Sequence, residues 1–154
     1  MQESDIPFIR QALVEIFQES TFEGLRPYLT QQMVERKSFQ GFSDNIRNDA
    51  VKLKVLVATF DDGAGESPVG FVSVGEQIHP DVDLLTGKVF DLFVSDQYRN
   101  KGIGSRLLDY GLEYLKNLGL SFATINTAGT NDRALHLYRK KGFKPDDIRL
   151  IKQI

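Results

Sequence analysis

The first part of the chain has apolar residues at helical spacing. The apolar positions that share one helical face are Ile6, Ile9, Leu13, Ile16 and Phe17. Ser4 or Asp5 can cap this helix, and Pro7 suits its first turn. A second and weaker helical pattern, with Leu25, Leu29 and Met33 aligned, covers residues 25–37. The chain is therefore predicted to open with a pair of helices.

The pattern then changes to that of strands. The stretch "VKLKVLVATF" (51–60) alternates before it becomes wholly apolar, and "VGFVSVGE" (69–76) follows after a run of turn residues. These two stretches predict an antiparallel hairpin. Residues 77–87 are loop-like, and "KVFDLFV" (88–94) predicts a third strand.

The remainder alternates between helical and strand patterns. Leu108, Leu112 and Leu115 share a helical face over residues 105–118, and Gly119 ends that helix. A strand over 120–126, a helix over 130–141 and a last strand over 148–154 follow. This order predicts a mixed α/β sheet with at least one right-handed crossover.

Composition excludes several classes of protein. The 154 residues suit one domain (1–154), and 41% apolar with 26% charged residues is an ordinary globular balance. A net charge of −2 provides no general attraction to nucleic acid or anionic lipid. The chain has no cysteine, and no apolar run approaches the roughly 18 residues of a membrane span. Without a signal-peptide pattern at its start, the chain is expected to be soluble and cytoplasmic, with no metal site.

A glycine-rich stretch, "YRNKGIGSRLL" (98–108), lies between the third strand and the next helix. Backbone N–H groups of such a turn can converge on an anion, and the helix N-terminus adds partial positive charge. Arg99 and Lys101 add charged donors. A P-loop would need Gly-Lys-Ser/Thr, and a dinucleotide fingerprint would need glycine or alanine where Leu107 stands. The turn therefore favours a phosphate or pyrophosphate cradle of another kind, or glycines present for steric reasons alone.

A second motif, "NDRALHLYRKKGF" (131–143), lies on the last predicted helix. Asn131 and Tyr138 are seven residues apart, which is about two turns or roughly 10 Å along the axis, and they project to nearly the same side. The alternative interpretation is an ordinary amphipathic helix in which Tyr138 is half-buried. His79 and His136 do not form a metal-ligand spacing.

Together, the pattern Arg-x-x-Gly-x-Gly and this second motif resemble the GCN5-related N-acetyltransferases, the GNAT superfamily. The resemblance implies a mixed, mostly antiparallel sheet with flanking helices, in which the strands at 89–94 and 121–126 splay apart around the pantetheine of acetyl-CoA. It also implies that Asn131 lies near the pantetheine arm. The residues implied to offer backbone groups to the pantetheine are Leu92, Phe93 and Val94. Those implied to bind the pyrophosphate are Arg99, Asn100, Lys101, Gly102, Ile103, Gly104 and Ser105.

The resemblance implies transfer of an acetyl group from acetyl-CoA, the acyl donor, to a primary amine of a small molecule or protein. Tyr138 matches the family's frequent general acid. A phenol near pKa 10 is a weaker acid than a thiol near 8.5, so a hydrogen-bond donor role is favoured. Many relatives carry a glutamate on the preceding strand where this chain has Phe90. Asp91 should point to the other face unless a bulge re-aims it, and Glu76 or a water relay are the other candidates for the base.

One feature departs from the family. Only four residues precede Asp5, so the family's first strand is short or missing here. An uncovered sheet edge would allow a second copy to pair with it, and a homodimer is therefore expected. The alternative function is a catalytically silent acyl-CoA-binding regulatory module, which the missing glutamate favours. A nucleotide-phosphate enzyme is disfavoured by the failed P-loop match.

Overall fold

The computed structural model describes residues 1–48, 51–147 and 150–152. Short 3₁₀ turns occur at Glu3–Asp5, Glu23–Tyr28 and Asp96–Tyr98. The helices and strands are α1 (Ile6–Ser20), α2 (Gln31–Arg47), β1 (Lys54–Asp61), β2 (Glu66–Ile78), β3 (Leu85–Val94), α3 (Ile103–Asn117), β4 (Ala123–Ile125) and α4 (Asp132–Lys140).

The strands form one mixed sheet in the order β1-β2-β3-β4. The β1–β2 and β2–β3 pairs are antiparallel, whereas β3 and β4 are parallel and are connected through α3. The predicted hairpin and the predicted α/β class are therefore confirmed. β1 lies at one edge of the sheet and β4 at the other.

The prediction of a helix over residues 25–37 is wrong in its bounds. Residues 23–28 form a 3₁₀ turn that contains Pro27, and α2 begins at Gln31, where the Thr30 hydroxyl accepts a 3.2 Å hydrogen bond from the Met33 amide. Proline lacks the N–H that a helix interior needs, whereas threonine is a favoured cap. Leu25, assigned to the buried face, is 45% exposed. The buried face of α2 is formed instead by Val34, Ser38 and Phe42.

Both ends of the chain differ from a simple strand pattern. Asp5 is the cap residue of α1, but its carboxylate accepts a hydrogen bond from the Gln2 amide at 2.6 Å and no bond from the helix. Residues 3–5 form a 3₁₀ turn rather than a first strand.

The strand predicted over 148–154 lies largely outside the described residues, and residues 150–152 are not in a strand. Strand β4 is also shorter than the predicted 120–126.

Each face of the sheet is covered by helices and has its own apolar cluster. The cluster under α1 and α2 comprises Ile9, Ala12, Leu13, Phe42, Val55, Phe71 and Phe93. The cluster under α3 comprises Val72, Val74, Val89, Leu107, Leu108 and Leu115. Burying each large aliphatic or aromatic side chain stabilises the fold by about 1.5–3 kcal/mol. Because strand side chains alternate between faces, Phe71 and Val72 belong to different clusters.

No helix among the described residues combines the length and apolar character that a membrane crossing requires.

Candidate active site

A bulge in β3 determines which side chains face α1 and α2. The pairing of β2 with β3 runs through Ser73↔Asp91 and then Val74↔Val89, so that Phe90 is an extra residue in β3. A bulge of this kind re-aims side chains. Phe90 and Asp91 both line a cavity of about 250 Å³ between β3, α1 and α2. Val89 packs in the cluster under α3.

Asp91 is a half-buried acid at the wall of this cavity. The Ser73 hydroxyl on the neighbouring strand donates a 2.6 Å hydrogen bond to its Oδ2. Burial raises the pKa of the Asp91 carboxyl above its ordinary value of 3.8, and the Ser73 bond opposes part of that rise. A carboxyl group whose pKa is shifted upward is better matched to proton transfer near neutral pH than an ordinary aspartate.

Glu76, the other carboxylate considered as a base, lies on the opposite face of the sheet. It is only 6% exposed, and on β2 it alternates onto the same face as Val72 and Val74. Lys52 pairs with it, the Nζ–Oε2 distance being 3.0 Å. The structure therefore does not bring Glu76 and Asp91 together.

Strands β3 and β4 pair only over a short segment. Their ladder consists of Gly87↔Ala123, Lys88↔Thr124 and Val89↔Ile125. Beyond that point residues 90–94 have no ladder partner on the β4 side within the described part of the chain. A free strand edge can accept an extended amide chain, as in strand addition. Leu92, Phe93 and Val94 lie on this free stretch of β3.

The glycine-rich loop leads directly into α3. Asn100 and Gly102 have positive φ angles of 62° and 80°, and Gly102 is the cap residue of the helix. The Arg106 amide bonds to the Gly102 carbonyl at 3.0 Å. The amides of Ile103, Gly104 and Ser105 therefore belong to the first turn of α3, where N–H groups lack helical partners and attract anions. A Cβ added at Gly104 would lie 3.5 Å from Val94 Cγ2, which is an ordinary contact.

Arg99 is folded back against the protein. Its Nε donates a 2.7 Å hydrogen bond to the Val94 carbonyl, and its guanidinium pairs with Asp96 and, at 3.7 Å, with Glu19. The Arg99 side chain is only 15% exposed. These contacts brace the turn between β3 and the loop. Lys101, exposed over the Tyr98 ring, remains as the loop's more accessible cation.

Asn131 and Tyr138 are the two polar positions of the motif on α4. Asn131 caps the helix, because its Oδ1 accepts a 3.1 Å bond from the Ala134 amide. The Tyr138 ring packs edge-on against Phe143, with 6.0 Å between ring centroids. Its hydroxyl has no hydrogen-bond partner among the described residues. Burial raises the pKa of Tyr138 to about 12, against a smaller lowering by Arg133, so the phenol keeps its proton near neutral pH.

Sequence reasoning missed several residues around the cavity and the strand gap. Ser73 was one, although a serine inside the apolar run "VGFVSVG" is itself a signal. Lys88 was another: its Nζ donates to Asn126 Oδ1 across β3 and β4, and burial lowers the pKa of Lys88. Lys37 and Gly41 on α2 also line the cavity, and the misplaced helix bounds concealed their position.

Comparison with known proteins finds acetyltransferases among the proteins similar to this chain. The chain is 35% identical over 57 residues to a mycothiol acetyltransferase of Propionibacterium freudenreichii subsp. shermanii. That stretch covers 37% of this chain and only 18% of the relative, so most of the relative lies outside the match.

Two solved structures share the fold over nearly the whole chain. A proposed acetyl transferase of Pyrococcus furiosus superposes with a TM-score of 0.77 at 21% identity, covering 99% of this chain and 95% of its own. The ribosomal-protein-alanine N-acetyltransferase of Brucella melitensis biovar Abortus 2308 superposes with a TM-score of 0.66 at 18% identity, covering 100% and 96%. At such identities the likeness establishes the fold alone.

The family assignment rests on the sequence match over most of the chain. Residues 10–143 match the acetyltransferase (GNAT) family, and this range contains β1 to β4, the glycine-rich loop and α4. The chain therefore belongs to the acetyltransferase (GNAT) family.

Proposed function

We propose that this protein is an N-acetyltransferase that transfers an acetyl group from acetyl-CoA to the primary amine of a small molecule or a protein. The observation that carries the proposal is the position of Asp91. This half-buried acid lines a cavity and lies on the stretch of β3 whose edge is free of β4. A proton acceptor, a space for the amine and a gap between strands are thus adjacent.

The chain's residues fit acetyl-CoA, which supplies an activated acyl thioester when bound. The first-turn amides of α3, together with Lys101, suit the pyrophosphate. The Ser95 amide bonds to the Val69 carbonyl, and backbone groups alternate in direction along a strand, so those of Phe93 face β2. The free edge of β3 at Leu92 and Val94 suits the amides of the pantetheine arm. The Val94 carbonyl already accepts a bond from Arg99, so the Val94 amide and the backbone groups of Leu92 are the more available partners, and Phe93 is the least available of the three.

Asp91 is the residue to which we assign the general base. An amine is protonated near neutral pH and must lose a proton before it can act as a nucleophile. Asp91 lines the cavity, whereas Glu76 is paired with Lys52 on the other face of the sheet. The bond from Ser73 holds the Asp91 carboxylate against β2 at the cavity wall.

Tyr138 is the residue to which we assign stabilisation of the leaving sulfur. With its pKa raised to about 12, its phenol is a poor source of a fully transferred proton. It is a good permanent hydrogen-bond donor to negative charge that develops during the reaction. Asn131, whose Oδ1 caps α4, retains its amide N–H₂ group as a donor beside the same helix start.

Two measurements test the proposed function. Calorimetry with CoA and with ATP should show binding of CoA only, since the loop lacks the P-loop residues. A thiol-release assay with acetyl-CoA and a panel of primary amines should show turnover. Binding of CoA without turnover of any amine or amino-terminal peptide would contradict catalysis and would favour a silent acyl-CoA-binding module.

A further inference from the structure

The α2 wall of the cavity carries polar and charged side chains, although the rest of the cavity is mainly apolar. The α2 residues that line it are Lys37, Ser38, Gly41, Phe42 and Asn45. The other walls are mainly apolar and come from α1 and β3, where Asp91 is the acidic member. The cavity therefore has an acid on β3, an ammonium on α2 and an apolar interior between them.

Gly41 lies in the interior of α2, where glycine is unfavourable by roughly 1 kcal/mol relative to alanine. Glycine in a helix is commonly explained by close packing, but a Cβ added at Gly41 would meet nothing within 4 Å. Its φ is not in the left-handed region either. The consequence of glycine at this position is open space on the cavity wall.

Lys37 lies one helical turn before Gly41, on the same face of α2. Its ammonium has no ion-pair or hydrogen-bond partner among the described residues. It is exposed, which places it at the solvent side of the cavity, whereas Asp91 is half-buried at the β3 side. Asp91, Gly41 and Lys37 therefore line the same cavity, with Lys37 at its solvent side.

The cavity volume limits what can bind inside it. A buried apolar cavity of about 150 Å³ accommodates benzene. The space here is about 250 Å³, which suits one ring or a short aliphatic chain together with its amine. The cavity is open to solvent, so a larger acceptor would extend out of it.

Resting on the acetyl transfer proposed above, we propose that the preferred acceptor is a small primary amine with an apolar body and a negatively charged group at its other end. Lys37 binds the negative group, and Gly41 leaves room for the apolar body. The amine is then directed toward Asp91 on β3. Lys37 and Gly41 are thus the specificity-determining residues on α2.

The test compares matched pairs of amines that differ by one carboxylate. Suitable pairs are phenethylamine with 4-(2-aminoethyl)benzoate, and pentylamine with 6-aminohexanoate. The wild-type protein should prefer the carboxylate-bearing member, in kcat/KM, by about two- to fivefold, the range of an ion pair with an exposed lysine. The Lys37→Gln variant should lose most of that preference. Arg36→Gln removes the same charge from the neighbouring position of α2, which does not line the cavity, and should retain the preference.

The role of Gly41 is tested by substitutions that add a side chain at this position. Gly41→Leu should lower kcat/KM for the phenethyl compounds more than for the narrower alkyl amines, while calorimetry shows unchanged CoA affinity. Gly41→Ala is the folding control, and its midpoint of thermal unfolding should equal or exceed that of the wild type.

The outcomes separate the two proposals. Equal turnover of both members of each pair, unchanged by Lys37→Gln, would overturn the acceptor class and leave acetyl transfer intact. A folded, CoA-binding wild type that turns over no amine would overturn acetyl transfer, and the acceptor class with it.

Discussion

The Ser73 hydroxyl donates a 2.6 Å hydrogen bond to the Asp91 carboxylate across strands β2 and β3, at the bulge that aims Asp91 into the cavity. Three influences meet at this carboxyl group. The bulge sets the direction of the side chain, and burial raises its pKa. The bond from Ser73 fixes the position of the carboxylate and opposes part of the rise in pKa. The first two predictions follow from this pair.

Asp91→Asn should lower kcat for a good amine by roughly 10²-fold or more, because it removes the proton acceptor while keeping the shape of the side chain.

The same substitution should raise the free energy of unfolding at pH 7. Because the folded pKa is raised, the folded protein binds a proton that the unfolded chain has released, and the free energy of unfolding falls as pH rises from 3.8 through the folded value. Urea unfolding should find the variant more stable than wild type at pH 7, with no difference below pH 3.8. A less stable variant at pH 7 would contradict this account.

Ser73→Ala should shift the acid limb of the pH profile of kcat/KM to higher pH. The hydrogen bond favours the ionised carboxylate, so its loss raises the pKa of Asp91 further. Ser38→Ala, in the same cavity but bonded to the Glu35 carbonyl of its own helix, is the matched control and should leave the limb in place. An unshifted limb in Ser73→Ala would assign the limb to a group other than Asp91.

Tyr138→Phe should leave CoA affinity nearly unchanged, because the ring still packs against Phe143. The loss, roughly 10²-fold, should appear about equally in kcat and kcat/KM, since the contact strengthens only as the carbon–sulfur bond breaks. Stopped-flow or steady-state thiol release measures it. Wild-type turnover in the Phe variant would show that the tyrosine is structural.

Gly104→Asp should abolish CoA binding, because it places a negative charge at the first turn of α3, where that charge repels the negatively charged pyrophosphate. Gly104→Ala is the control for side-chain volume, since the added Cβ would make only an ordinary contact with Val94. Its CoA affinity should fall less than that of the aspartate variant. Calorimetry measures the CoA affinity of both variants. Undiminished affinity in Gly104→Asp would show that the pyrophosphate does not bind at this loop.

Self-association is expected through β1, which pairs with β2 on one side and is an edge strand of the sheet formed by the described residues. Sedimentation should show a mass above the 17.4 kDa of one chain as concentration rises. Phe60→Lys should weaken this association, because lysine on an edge strand opposes pairing. Phe122→Lys, an exposed aromatic beside the opposite edge strand, is the control. A constant 17.4 kDa species at all concentrations would exclude the β1 interface.

The elements that the sequence by itself determined are those whose signals are local. The strand alternation on either side of the turn at 61–65, the leucine face of α3 and the glycine after it each involve near neighbours in the chain. Helical and strand periods arise from backbone geometry, so they can be recognised without knowing the fold. The glycine-rich loop and the motif on α4 were recognised because each is a contiguous stretch that resembles the GNAT family. Where local signals compete, as at Pro27 and Thr30, the expected helix bounds were wrong.

Only the tertiary structure decided which carboxylate faces the cavity. Asp91 and Glu76 are equally plausible in the sequence, but a one-residue bulge in the pairing of β2 with β3 turns Asp91 toward α1 and α2 and leaves Glu76 on the opposite face. The same applies to Arg99, whose pairing with Glu19 requires α1 to lie beside the loop. Strand register, burial and ion pairing depend on residues far apart in the chain. Their energies are set by the packed arrangement as a whole, so no local pattern specifies them.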